Sequence, residues 1–261
     1  MGPAGLVLAG YYGAACKPLI SLSTCYVAAT CKVTQSHRQV TCVTVAGIGS
    51  GHEWVLAAPR HNWYGLGSRV HGVFTSFRPP TIASVEPAVL KTNGNDWITI
   101  TGTDFGPDFT VIVPGRPENP GQVTLRWENK GVSASEHDKT AYRYQQTLAC
   151  KVMKEHTEMR CKSLHGVGKD LQWWIRVGEA GSGAESTESA ENPAVKTRYE
   201  APTIVQVEGP GAYQGGTSGG KRIQLKGTSF GPTYATQGWG HKQVDLIEFW
   251  SADNTDHRFV L

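Results

Sequence analysis

A chain of 261 residues is long enough for about two domains of ordinary size. Its formal charge of +3 includes no stripe of Lys and Arg, which argues against nucleic acid as a partner. No apolar run reaches the roughly 20 residues that a membrane helix needs. Apolar content of 39%, with 31 Gly and 14 Pro, suits a turn-rich all-β chain.

Residues 1–30 are rich in small side chains and hold Cys16 and Cys25. The stretch has no basic lead and its apolar run is broken by Gly, so it does not read as a secretory leader. Either the chain is not secreted, or its true start lies upstream. Pro3 and Leu6 spoil a myristoylation motif at Gly2.

A repeated unit follows. Cys31, Val33, His37, Val40, Cys42, Gly47, Gly49 and Trp54 return as Cys150, Val152, His156, Met159, Cys161, Gly166, Gly168 and Trp173, each 119 positions later. The alternation predicts a β-hairpin with a polar tip at 35–38 and again at 154–157. The two cysteines of each copy then become cross-strand neighbours within bridging range. Disulfides Cys31–Cys42 and Cys150–Cys161 are the expectation. Zinc is a poor alternative, since no Cys-x₂-Cys pair occurs. Cys16 and Cys25 have no counterparts; either they pair with each other, or one reaches outside this stretch. After the Gly-x-Gly turn, Trp54, Leu56 and Ala58, like Trp173, Ile175 and Val177, are expected on the inward face of a strand.

Residues 62–77 read as loop. A second repeat then begins. Residues 80–107, PTIASVEPAVLKTNGNDWITITGTDFGP, return at 202–232 as PTIVQVEGPGAYQGGTSGGKRIQLKGTSFGP. Each copy crosses a Gly-rich turn, runs through an alternating strand and closes on Gly-Thr-x-Phe-Gly-Pro. Phe105 and Phe230 read as core plugs at strand ends. An aromatic, Phe77 or Tyr199, followed by two residues and then Pro-Thr-Ile, marks the junction between units, with almost no free linker. Residues 107–122 are expected as loop, and Val123, Leu125 and Trp127 as one face of a strand. The segment GEAGSGAESTESAEN, 178–192, is small, polar and acidic, and reads as an exposed flexible loop. A last strand is expected over 244–250.

These segments together resemble the IPT/TIG repeat, the immunoglobulin-like fold shared by plexins, the hepatocyte growth factor receptor, fibrocystin-like proteins and some transcription factors. The most specific elements are Gly102-Thr-Asp-Phe-Gly106 and Gly227-Thr-Ser-Phe-Gly231. The paired cysteines and Gly-x-Gly look more like the tandem extracellular subgroup than the DNA-binding one. Departures are the long loops around 107–122 and 179–192 and the two extra cysteines. The resemblance implies end-to-end β-sandwiches, with a C-terminal part-repeat at 1–78, a complete repeat at 79–199 and an N-terminal part-repeat at 200–261. It implies binding or spacing, with no catalytic residues and no cofactor.

Individual residues add little chemistry. His52, His61 and His71 fall in one loop-rich region, and Asp104 and Asp108 flank Phe105, but no metalloprotease helix, nucleophile elbow or phosphate loop is present. His37 and His156 read as shared turn residues rather than metal ligands. Trp63, Trp239 and Trp250 match no repeated core position, so they are the candidate exposed contact residues. No Asn-x-Ser/Thr acceptor occurs, which weakens a glycosylated-ectodomain reading.

Three functions remain open. The first is an extracellular or cell-surface tandem module for protein interaction, adhesion or assembly, whose partners are other chains or further repeats. The second is a carbohydrate-binding or spacer module of a larger secreted enzyme, marked by aligned exposed aromatics. The third is a DNA-binding domain of a nuclear factor, marked by free thiols and basic loops; the small net charge disfavours it.

Overall fold

The structure is a computed structural model that describes residues 4–13, 16, 25–57, 68–69, 74–108, 122–129, 143–146, 150–178, 187–231, 248–251 and 254–260. Among them there are strands and turns and no helix. In chain order the strands are β1 (Val7–Gly13), β2 (Tyr26–Val27), β3 (Thr30–Gln35), β4 (Gln39–Val43), β5 (Glu53–Ala57), β6 (Ser68–Arg69), β7 (Thr81–Glu86), β8 (Val89–Leu90), β9 (Trp97–Thr103) and β10 (Gln122–Asn129). They continue as β11 (Arg143–Gln146), β12 (Cys150–Lys154), β13 (Glu158–Lys162), β14 (Leu171–Gly178), β15 (Thr187–Glu188), β16 (Lys196–Tyr199), β17 (Thr203–Glu208), β18 (Gln224–Thr228), β19 (Glu248–Ser251) and β20 (Asn254–Val260).

Two sheets enclose the main core. One has the order β12-β13-β9-β7, the other β11-β10-β14-β16-β8 with β15 also on β14. Strand period 2 sends Ile98 and Ile100 of β9, Val85 of β7 and Met159 of β13 inward, and all are buried. From the facing sheet come Val123, Leu125 and Trp127 of β10 with Leu171, Trp173, Ile175 and Val177 of β14, in the same apolar cluster. Trp127 and Trp173 are direct cross-strand partners, with ring centroids 4.7 Å apart and stacked. Phe105 closes the core, fully buried.

The Gly-Thr-x-Phe-Gly element has a physical reason at each position. A Cβ on Gly102 would run into the Thr81 carbonyl oxygen and the Phe105 ring, so no side chain fits while β7 and β9 pair. The Thr81 and Thr103 hydroxyls hydrogen-bond across the strands at 2.9 Å. Asp104 (φ 59°) and Gly106 (φ 87°) both take the left-handed conformation that swings Phe105 inward. The second copy repeats all of this. Gly227 faces the Thr203 carbonyl and Phe230, Thr203 and Thr228 hydroxyls meet at 2.6 Å, and Ser229 and Gly231 have φ of 60° and 91°. There the inward face is uncovered: Ile204, Val207 and Ile223 are exposed, and β18 pairs only with β17 among the described residues. Ile223 falls one residue before β18.

Before residue 80 the order is β4-β3-β1-β5-β6, with β2 also on β1. Here β5 is covered on both sides, more fully on the side its spacing did not point to. Val55, not Trp54 or Leu56, is the buried residue, packed with Tyr11 and with Cys16 and Cys25; Ala58 lies outside the described residues. The disulfide of the unmatched cysteines supplies the apolar contact on that side. Trp54 instead stacks on Tyr12 at 4.5 Å and donates its Nε1–H to Thr75.

The acidic segment also departs from expectation at its end. Residues 179–186 lie outside the described residues, but β15 pairs with β14. Ser189 is buried, its backbone N–H donating to the Ile175 carbonyl (2.7 Å) and its hydroxyl accepting from the Ile175 N–H (3.0 Å). Asn192 donates its amide to the Ile82 carbonyl at 2.9 Å. Two short polar side chains thus satisfy backbone groups of both sheets, so 187–192 is anchored. In the final segment the described strand begins at Glu248, and 244–247 lie outside the described residues.

Candidate functional site

The two cysteine hairpins are built alike. β3 pairs with β4 and β12 with β13, placing Cys31 opposite Cys42 and Cys150 opposite Cys161. Both pairs are disulfides, and Cys16 is bonded to Cys25. At the tips, His37 (φ 59°) and His156 (φ 66°) occupy the third position of matched turns closed by Arg38 N–H to Gln35 and Thr157 N–H to Lys154. A positive φ at that position suits Gly and is tolerated by Asn, Asp and His. The repeated histidine is therefore a turn residue, and His156 also bonds through its backbone to Gly106 and Phe105.

An aromatic cluster surrounds His52. Tyr12, Tyr26 and Phe77 have ring centroids 5.9, 5.6 and 5.4 Å from its imidazole. Its backbone bridges to Thr75 in both directions, and the side chain is buried. Tyr26 donates its hydroxyl to the Ile48 carbonyl (3.3 Å) and accepts from the Ile48 N–H (3.2 Å). Burial pushes the His52 pKa down, against the smaller opposing effect of a backbone hydrogen bond at Ile48. Burial likewise raises the Tyr12 hydroxyl to about 12. A depressed folded-state pKa means that the unfolded chain binds the His52 proton more readily. The neutral ring's contribution is therefore complete above about pH 6.5, the unfolded value, and is lost as pH falls toward the lower folded value. His52→Gln should flatten this dependence. Urea midpoints of the two proteins at about pH 7.5 and 5.5 will converge as pH falls if this is so, and stay parallel if it is not.

The outer face of β12-β13-β9-β7 carries a different set of side chains. Trp97 is 47% exposed, sharing its face with Thr99 and Thr101 rather than with Ile98 and Ile100. Lys162 is its direct cross-strand partner, with Nζ 4.1 Å from the ring centroid; the Arg160 guanidinium lies 5.2 Å away. On the opposite sheet, Arg126 covers Trp174 at 4.2 Å and pairs with Glu188 at 3.3 Å, so that indole is buried.

The three tryptophans singled out in the sequence are not brought together here. Trp63 and Trp239 lie outside the described residues, as do His61 and His71. Trp250 is in β19 opposite Arg258, and its side chain is not among those described. Trp97 was missed. The signal was its parity with Thr99 and Thr101, which already places it opposite Ile98 and Ile100. Among the described residues no group of three or more His, Cys, Asp and Glu could hold a metal ion, and no helix is long and apolar enough to cross a membrane.

No curated protein matches the chain. Among solved structures, the full extracellular region of plexin A4, domains 1 to 10, matches 95% of this chain at 14% identity and a TM-score of 0.31. This chain spans 18% of the length of that one. The family model of the IPT/TIG domain matches residues 80–187, the segment that runs from β7 to the first residue of β15. The chain therefore carries an IPT/TIG domain, an immunoglobulin-like β-sandwich, at residues 80–187.

Proposed function

We propose that this chain is a run of end-to-end immunoglobulin-like units, divided at about residues 79 and 200, that acts outside the cell or at its surface as a non-enzymatic interaction and assembly module. The observation that carries the reading is the pair of matched junctions. The Phe77 N–H donates to the Gly49 carbonyl, and the Tyr199 N–H donates to the Gly168 carbonyl, both at 2.9 Å. The two acceptors are 119 positions apart, like the cysteine hairpins. Each aromatic is thus tied into the Gly-x-Gly turn of the unit before it, and a Pro-Thr-Ile strand starts within five residues. Tyr199 is buried in the main core and donates its hydroxyl to the Leu164 carbonyl. Ile48, ahead of the first junction, packs into the same apolar cluster as Ile82. Such connections leave no slack, which supports a stiff spacer rather than beads on a flexible string. Three disulfides and no free cysteine support an oxidising compartment.

Limited digestion with chymotrypsin tests the junctions. Cleavage is expected after the exposed Tyr213 before any cut after Phe77 or Tyr199. Early cuts after those two aromatics would mean that the junctions are loose, and the reading would fail.

A further inference from the structure

The face around Trp97 is not explained by the fold. If packing required a tryptophan there, the repeat would keep it. Gly102 and Phe105 correspond to Gly227 and Phe230, an offset of 125 positions, and the same offset carries Trp97 onto Arg222. The cysteine-hairpin offset of 119 likewise carries Arg160 onto Thr41 and Lys162 onto Val43. The indole and the two cations beside it therefore occur together only in the middle unit of the repeats compared.

The geometry restricts what this face can bind. β9 and β13 are the two inner strands of their sheet, so their backbone groups are taken by ladder pairing. Recognition at Trp97 must run through side chains, since an added strand has no edge to join on β9 or β13. What the face offers is a half-exposed indole, the cations of Lys162, Arg160 and Lys151, the hydroxyls of Thr99, Thr101 and Ser84, and, away from the indole, the carboxylates of Glu86 and Glu158, ladder partners of Thr99 and Thr101. Lys151 pairs across the ladder with Arg160 and so shares its face. The Arg160 Nε is buried and has no hydrogen-bond partner among the described residues. Lys162 Nζ is steadied by the Asn95 carbonyl at 2.9 Å. Ser84 and Thr101 hydroxyls are joined at 2.7 Å, leaving a flat polar floor. A single ring fringed by cations is too small an apolar patch for a protein core contact. It suits a ring of matching size whose C–H face stacks on indole while anionic groups radiate from its edge.

We propose that the outer face of β12-β13-β9-β7 binds an acidic polysaccharide, with one sugar stacked on Trp97 and its carboxylate or sulfate groups paired with Arg160, Lys162 and Lys151. The contact is charge-dependent and weakens with salt, since it rests on ion pairs at a solvent-facing surface.

The test is titration of the full 261-residue chain, at low ionic strength, with heparin oligosaccharides, with uncharged dextran oligosaccharides and with polyglutamate. Tryptophan fluorescence and calorimetry give the readout. Binding to heparin, weakened by salt and absent for dextran, is the expected result. Trp97→Ala and the double variant Arg160→Gln/Lys162→Gln should each weaken it by about tenfold or more, with thermal midpoints close to the parent's. No binding to heparin would overturn the proposal. So would unaltered binding by Trp97→Ala, or polyglutamate binding as tightly as heparin, which would assign the face to acidic protein segments by charge alone.

Discussion

Trp173→Ala is expected to lower the unfolding free energy of the middle sandwich by about 3–5 kcal/mol. The indole is 2% exposed, stacks on Trp127 across the β10–β14 ladder, and donates its Nε1–H to the buried Thr197 hydroxyl at 2.9 Å. Removing it leaves a cavity between the sheets, an unpaired Thr197 hydroxyl and a Trp127 ring with nothing against one face. The ring also spans two connections, since β14 pairs with β10 and Thr197 lies on β16. Most of the loss should therefore appear as one cooperative shift of the urea transition rather than as local fraying. Trp97→Ala is the internal comparison: its indole faces solvent, so its cost should stay within about 1 kcal/mol. Equal costs for the two tryptophans would show that the sandwich core is not where Trp173 places it.

Replacing Cys150 and Cys161 together by Ala should cost about 3 kcal/mol, the chain-entropy value for so short a loop. The position adds to the effect. Cys161 is fully buried and sits opposite Ile98 in the β13–β9 ladder, so the bridge pins the hairpin onto the inner strand of its sheet. Alanine avoids burying a serine hydroxyl without a partner. The twin substitution of Cys31 and Cys42 makes a useful contrast. There the strand corresponding to β13 is β4, which pairs only with β3 among the described residues. Its loss should loosen the first hairpin while leaving the main transition of residues 79–199 in place. Urea denaturation of the two double variants beside the parent, all without reductant, separates the cases. A main transition indifferent to loss of the Cys150–Cys161 bridge would mean that the hairpin is held by ladder and core contacts alone.

Much of this architecture is legible because it is local. A strand announces itself by alternation within five to eight residues, and Ile98, Ile100, Val123, Leu125 and Trp127 all lie inward as their spacing says. The cysteine hairpins are equally readable, since partners 11 positions apart face each other whenever the intervening turn is tight. Repetition then carries a reading from one copy to the next, as with the glycine that must stand beside a neighbouring carbonyl at 102 and at 227.

The misreadings share a cause. Val55 is the buried residue of β5 because a disulfide about 30 to 39 positions earlier, together with Tyr11, covers that side, and nothing within β5 reports it. Ser189 and Asn192 are anchored because the Ile175 and Ile82 backbones come within reach, although their neighbourhood has the composition of a free loop. Trp97 is a milder case. Its parity placed it on the outer face, but that the face would hold Arg160 and Lys162 beside it depended on the register of β9 against β13.

The order of residues alone settled the all-β class, the strands, the hairpins and the repeat, because each depends on neighbours a few positions apart or on a pattern written twice. Tertiary structure decided which face is covered, which polar residue is anchored and which aromatic is left to meet a partner. Those outcomes depend on which separate strands meet, as Trp97 of β9 meets Arg160 of β13 and Asn192 meets Ile82 of β7, and alternation within one strand does not encode that meeting.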